Sequence, residues 1–340
     1  MTPQSQQIPP TAILMQMLFG YAVSRSIGVA AELRIADLIN SVAKTADELA
    51  KETGSHPSSL YRLLRACASI GVFAEDHDHR FGMTPLAEYL RSDHLQSLRA
   101  FAEMITNDTQ FQMWAELSYS VNTGKQSFDK VFGSPVFDYY ASNKKAGSLF
   151  NEAMTSLSLG AGMAVLEAYD FSGIHKLVDV GGGQGFLLAS ILKKYPTMHG
   201  ILFDTTSMVN ASAVILQQHN VAYRCETTGG DFFQAVPSGG DAYLMKHIIH
   251  DWNDTQCITI LQNCRKAIRE NGKILIIEMI VPDGNEPSIS KLLDLQMLAI
   301  LPGRERTVNE YRSLFEHSGF NLTKIISTKS PYSIIEGIAK

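Results

Sequence analysis

At 340 residues, with 45% hydrophobic residues and a formal net charge of −5, the chain is long enough for two domains and a sizeable core. That charge gives no general electrostatic reason to bind nucleic acid or an anionic membrane. Cys67, Cys225, Cys257 and Cys264 form no C-x-x-C pair, so neither a zinc cluster nor a disulfide framework is suggested, and free buried thiols in a reducing cytoplasm are expected.

The N-terminal run Ala12–Val23 is apolar, but no Lys or Arg precedes it and no small-residue cleavage site is evident, so it does not read as a signal peptide. Residues 11–40 read as two amphipathic helices, and no span approaches the ~20 apolar residues of a transmembrane helix. Residues 44–90 read as a winged-helix-like unit. Thr45 and Glu48 have capping-box spacing, Gly54 ends that helix, Pro57 opens the next, and VFAED and HRFGM are short strands around the Asp76–His79 turn. Such units often bind DNA, which keeps a transcription regulator open as an alternative for this domain, residues 1–95. The charge argues against it, because the would-be recognition helix offers only Arg62 and Arg65 for phosphates.

Residues 96–170 contain no linker rich in glycine or proline and read as a mostly helical connection. They are dense in aromatics and methionines. Phe111, Trp114, Phe137, Tyr140 and Phe150 are either helix-packing core or the walls of an aromatic substrate site, since ligand pockets favour domain interfaces. Met104, Asn107, Met154 and Met163 fit the same two readings, and Phe111, Trp114 and Met154 are the substrate contacts expected here.

From residue 171 to the end, apolar strands at 177–180, 200–204, 241–246 and 273–281 alternate with helices after Gly185, around 207–218 and over 255–270. The pattern predicts an α/β fold with a doubly wound, mostly parallel, Rossmann-like sheet. The stretch LVDVGGGQGF packs a buried strand, a glycine turn and a helix start together, which aims free N–H groups at a ligand. Phe186 stands where a dinucleotide fingerprint would place its third glycine, and Asp204 ends the next strand at ribose-binding distance. Together they point to an adenosine with its ribose and without pyrophosphate. Thr307 and Glu310 have capping-box spacing, and the strands NLTKIIST and YSIIEGIA follow.

The order LVDVGGGQG, FD, GDFF, KHIIHDW, IIEMIVP and PGRERT resembles the plant-type small-molecule O-methyltransferases, in their bacterial secondary-metabolism branch, over nearly the whole chain. The resemblance implies S-adenosylmethionine as cofactor, and an N-terminal domain that forms a homodimer and closes the partner's substrate pocket. It implies that His250 is the general base, flanked by Glu278 and Glu305, with Asp251 at the substrate. Asp204 would bridge the ribose hydroxyls, Asp231 and Phe232 would lie beside the adenine, and Gly181 and Gly183 under the methionine moiety. Lys246 would make a backbone contact, and Ser158 would reach the cofactor carboxylate. Two departures stand out: Thr205 and Thr206 replace the family's usual Leu-Pro after Phe-Asp, and Pro302 stands where two glycines are common, stiffening the loop of Glu305.

The chemistry is consistent with these residues. Methyl transfer from a sulfonium to oxygen is an in-line displacement, and a phenol of ordinary pKa near 10 must first lose its proton. Histidine, with an ordinary pKa of about 6.5, is expected to be neutral and accepting at physiological pH. Glu278 lies in an apolar strand and must be solvated at its end or paired. No compact carboxylate cluster suggests a hard cation, so no metal is expected. Two other classes stay open: a cofactor-binding relative that no longer methylates, and a nicotinamide oxidoreductase sharing only the fold.

Overall fold

A computed structural model describes residues 8–340. They divide into two units. The first comprises the described residues up to Phe111 together with 143–157, and the second comprises 112–142 and 158–340. Residues 96–170 are therefore not one connecting body. Helix Lys144–Ala168 serves both units, because Ala153 packs in a cluster with Ala100 and Met104 while Ala161 and Val165 pack in the core under the large sheet.

In the first unit, residues 11–40 form three helices instead of two, Pro10–Leu18, Gly20–Glu32 and Ile35–Leu38. Arg34 breaks the run by taking a left-handed conformation at φ 53°. The expected capping box at Thr45 and Glu48 starts helix Ala46–Thr53, and Gly54 ends it at φ 69°. Strands β1 (Lys44–Thr45), β2 (Phe73–Glu75) and β3 (Arg80–Met83) form an antiparallel sheet in the order β1-β3-β2, one strand more than the alternation predicts.

The second unit is built on seven strands: β4 (Lys176–Val180), β5 (His199–Asp204), β6 (Cys225–Gly229), β7 (Ala242–Lys246), β8 (Lys273–Glu278), β9 (Phe320–Ser327) and β10 (Ser333–Ala339). Their order is β6-β5-β4-β7-β8-β10-β9. The first five run parallel, and β10 pairs antiparallel with both β8 and β9. β4, β7 and β8 are apolar runs because both of their faces are covered, one by the cluster around Leu177, Leu188 and Leu244 and the other by that around Val178, Tyr243 and Ile260. Chain order reverses between β4 and β7. That switch point is where an open α/β sheet offers a crevice beyond its strand ends.

Candidate active site

The turn after β4 is shaped by three glycines in the left-handed region, Gly181 (φ 70°), Gly183 (φ 59°) and Gly185 (φ 82°). A β-carbon on Gly181 would lie 2.4 Å from Ile248 Cδ1, so the turn and the loop of His250 are in direct contact. Gly183 N–H donates to Asp204 Oδ2 at 2.8 Å, and Thr205 N–H donates to Oδ1 at 2.6 Å, which fixes the carboxylate at the end of β5. Asp231 accepts from Phe233 N–H at 2.9 Å, while Phe232, Phe233 and Trp252 form an edge-to-face trio with centroids 4.8–6.0 Å apart. An adenine-sized aromatic group suits such a wall.

Beneath the turn lies Asp179, whose Oδ2 is buried with no hydrogen-bond partner among the described residues. Burial pushes this carboxyl up to about 7, against the pull of Lys246. Burial likewise lowers Lys246 to about 8, opposed by Asp179, Asp251 and Glu278. A buried acceptor without a partner, beside glycines that clear the backbone, fits a cofactor carrying an ammonium group and an adenosine. Sequence reasoning missed Asp179, although an acid in an apolar strand is the signal that marks Glu278.

His250 lies in the short 3₁₀ turn Ile249–Asp251 after β7 and is 12% exposed. Its Nδ1 is 2.6 Å from Glu305 Oε1, and its Nε2 is 3.4 Å from Asp251 Oδ1. Since a carboxylate accepts, the proton of the neutral ring is assigned to Nδ1, which leaves Nε2 as its acceptor. Burial alone would lower this imidazole, but Asp251, Glu305 and Glu278 outweigh it and hold it at about 9. This corrects the expectation of a histidine that is mostly neutral at physiological pH. Burial lifts Asp251 to about 7, and raises Glu305 against the opposing pull of His250.

Glu278 acts on the backbone, away from the ring. Oε1 accepts from the amides of Ile248 (3.2 Å) and His250 (3.0 Å), and Oε2 accepts from the Tyr311 hydroxyl. It holds the backbone of the His250 turn, and its charge also raises the His250 imidazole.

Two further residues were not legible beforehand. Arg306 is fully buried; its guanidinium donates to the carbonyls of Ile249 (2.9 Å) and Trp252 (2.8 Å) and to Asp254 Oδ1 (2.8 Å), clamping both ends of the His250 turn. At Gly303 a β-carbon would stand 1.9 Å from the His250 carbonyl oxygen, so only glycine allows the two loops to meet. The 302–307 motif is thus a brace for the His250 turn as well as the source of Glu305.

The aromatic expectations divide. Trp114 is half-buried in the second unit and donates from Nε1 to Gln296 at 2.6 Å; Asp294, on the same helix Ile289–Ile300, accepts from Glu305 N–H at 2.9 Å. Phe111 and Met154 belong to the first unit, where Met154 packs on the Ala100–Met104–Ala153 cluster. Ser158 is half-buried midway along helix Lys144–Ala168. Among the described residues no group of three His, Cys, Asp or Glu side chains is arranged to hold a metal ion. Nor does any single described helix have the length and apolarity to cross a membrane.

Two family models match the chain. The O-methyltransferase domain matches residues 114–321, and the O-methyltransferase dimerisation domain matches residues 15–93. A phenazine O-methyltransferase of Lysobacter antibioticus is 44% identical over 97% of this chain and 96% of its own length. The mitomycin biosynthesis 6-O-methyltransferase of Streptomyces lavendulae is 35% identical over 94% and 92% of the two chains. The crystal structure of CalO1, a methyltransferase in calicheamicin biosynthesis in its SAH-bound form, superposes with a TM-score of 0.89 at 31% identity, covering 98% of this chain and all of that one.

Proposed function

The chain belongs to the O-methyltransferase family and is an S-adenosylmethionine-dependent O-methyltransferase, and from that premise we propose that it methylates a hydroxyl of a small aromatic or polyketide-like metabolite with His250 as general base. The observation that carries the assignment is the 2.6 Å bond from His250 Nδ1 to buried Glu305, which leaves Nε2 as the accepting nitrogen. The relatives named above include a phenazine O-methyltransferase and a 6-O-methyltransferase of mitomycin biosynthesis, which supports an aromatic or polycyclic acceptor.

When bound, the cofactor would supply an electrophilic methyl group on a sulfonium, a thioether being the leaving group of an in-line displacement by the substrate oxygen. Gly181 and Gly183 would give the turn its close approach, Asp204 would take the ribose hydroxyls, and Asp231 and Phe232 the adenine edge. Lys246 and Ser158 would meet the methionine end, and Asp179 Oδ2 is an acceptor suited to its ammonium. Neutral Nε2 of His250 takes the hydroxyl proton, Glu305 stabilises the imidazolium that results, and Asp251 receives the newly protonated edge. Trp114, bonded to Gln296 on the helix that carries Asp294, would line the acceptor side; Phe111 and Met154 are retained as substrate contacts on their aromatic and apolar character. Alignment of two bound reactants can contribute about 7–11 kcal/mol and a base about 10²–10⁴-fold.

The matched dimerisation domain supports a homodimer. Leu14, Met17, Leu18, Phe19 and Tyr21 are large, apolar and more than half exposed, an apolar face of the kind a subunit interface covers. Four buried free cysteines support a reducing, cytoplasmic setting.

Transfer of labelled methyl from S-adenosylmethionine into a small-molecule extract, compared between wild type and His250→Gln, tests the reading. A product from wild type alone, one methylene heavier than its precursor, is expected. Equal product from both proteins would remove His250 as the base.

A further inference from the structure

His247, three residues before the base, is held in a conformation that a β-carbon disfavours, at φ 56°. Its ring stacks on that of His250 with centroids 5.3 Å apart and planes 29° apart, and the Tyr332 ring packs on it at 4.6 Å. Nδ1 of His247 is 3.4 Å from Lys246 Nζ. An ammonium only donates, so Nδ1 accepts. Burial, with Lys246 and His250 alongside, pushes this imidazole well below its usual range, so the ring is neutral and has a single proton. That proton must then sit on Nε2.

Nε2 is buried and has no hydrogen-bond partner among the described residues. A buried donor without an acceptor is destabilising, and native folds keep few of them outside sites that use them. The left-handed backbone that produces it is the kind of strain that persists where a site requires it. Stacking keeps the donor ring directly beside that of His250.

We propose that His247 presents Nε2–H to a hydrogen-bond acceptor atom, a carboxylate or carbonyl oxygen or an aromatic ring nitrogen, on a molecule bound against His250. This rests on the methyl-transfer reading only for the identity of that molecule. It is either the methyl acceptor, carrying such an atom near its hydroxyl, or the carboxylate of the cofactor. In the first case His247 selects among hydroxylated substrates, because a buried donor discriminates strongly against an analogue that leaves it unpaired.

Long-range ¹H–¹⁵N correlation spectra of the histidine rings in the wild-type protein give the first test. The Nε2–H tautomer is expected for His247, and a Nδ1–H tautomer would overturn the proposal whatever any variant does. The Nε2–H resonance is then followed on saturation with S-adenosylhomocysteine, and again on adding 2-hydroxybenzoate, with phenol as the control that lacks the second acceptor. A shift at the first step assigns the cofactor, and a shift with 2-hydroxybenzoate but not phenol assigns the methyl acceptor. No shift at either step overturns the proposal. His247→Phe keeps a ring for the stack and removes the donor, so it should weaken the assigned ligand about tenfold, whereas His247→Asn, which tolerates the left-handed backbone and keeps an N–H, should restore part of the loss. If wild type transfers no methyl group while the tautomer and the shift are as expected, the methyl-transfer reading fails and the assignment of His247 stands.

Discussion

Glu305 spends its paired oxygen on His250: Oε1 is 2.6 Å from Nδ1, while Oε2 is buried with no partner among the described residues. The Glu305 side chain is fully buried, so little water screens the pair. Burial opposes charge on both groups, yet with Asp251 and Glu278 nearby the imidazole is held at about 9. The result is a base stronger than free histidine, at the cost of being protonated more of the time.

The first consequence is a pH dependence. With His250 at about 9, the accepting form is about one part in a hundred at pH 7, so kcat/KM should climb with pH and level off above about 9. NMR titration of the His250 ring should give the same midpoint. Adding S-adenosylmethionine should lower it more than adding S-adenosylhomocysteine, because only the former carries the extra positive charge of a sulfonium. A rate that fell between pH 7 and 9 would contradict the assignment. The same raised value means the ion pairs of His250 stabilise the fold fully below about 6.5 and are lost as pH rises through about 9.

Glu305 and Glu278 should separate cleanly. Glu305→Gln keeps an acceptor for Nδ1 but removes the charge, so the rising limb of the pH profile should move down by about one unit or more, with a lower plateau. Glu278→Ala strips the partner from two amides and the Tyr311 hydroxyl. It should cost roughly 1–3 kcal/mol of unfolding free energy per buried group left unpaired, read by urea denaturation.

Gly303→Ala tests the contact between the two loops. Its methyl group would meet the His250 carbonyl oxygen at 1.9 Å and the Asp251 carbonyl carbon at 2.4 Å, so the turn must shift. A displacement of that size should lower kcat about a hundredfold, with S-adenosylhomocysteine affinity by calorimetry within about twofold. Gly173→Ala, where no atom lies within 4 Å, is the silent control.

The dimer proposal predicts a change of mass. Leu14 and Met17 are 58% and 70% exposed, and Leu14→Glu with Met17→Glu should convert a dimer to a folded monomer in light scattering coupled to size exclusion. A wild-type monomer at micromolar concentration would remove the proposal.

What could be read in advance follows physical locality. The glycine turn, Asp204 and the strand order are local patterns, because close approach requires glycine and a covered strand requires an unbroken apolar run. His250 and its two glutamates came from resemblance, and the geometry keeps Glu305 on the ring but moves Glu278 to the backbone. Gly303 and Arg306 gave no local sign, since one is small only because a backbone 53 residues earlier crosses it, and the other is an arginine whose partners lie 52 to 57 residues away. The basicity of His250 is only partly local, since Asp251 beside it raises it most while Glu305 and Glu278 reach it from other strands and loops. The break at Arg34 and the sharing of helix Lys144–Ala168 between units are likewise tertiary outcomes that helical periodicity does not record.

The clamp of Arg306 has a kinetic consequence. Its bonds to Ile249 and Trp252 close a chain loop of more than fifty residues, and that closure must precede the reward of the contact. During refolding from urea, far-UV circular dichroism should therefore recover before catalytic turnover, with a lag set by the arrival of residues 302–307. A nascent chain still missing that segment would contain the glycine turn and the histidine, and would not yet contain an enzyme.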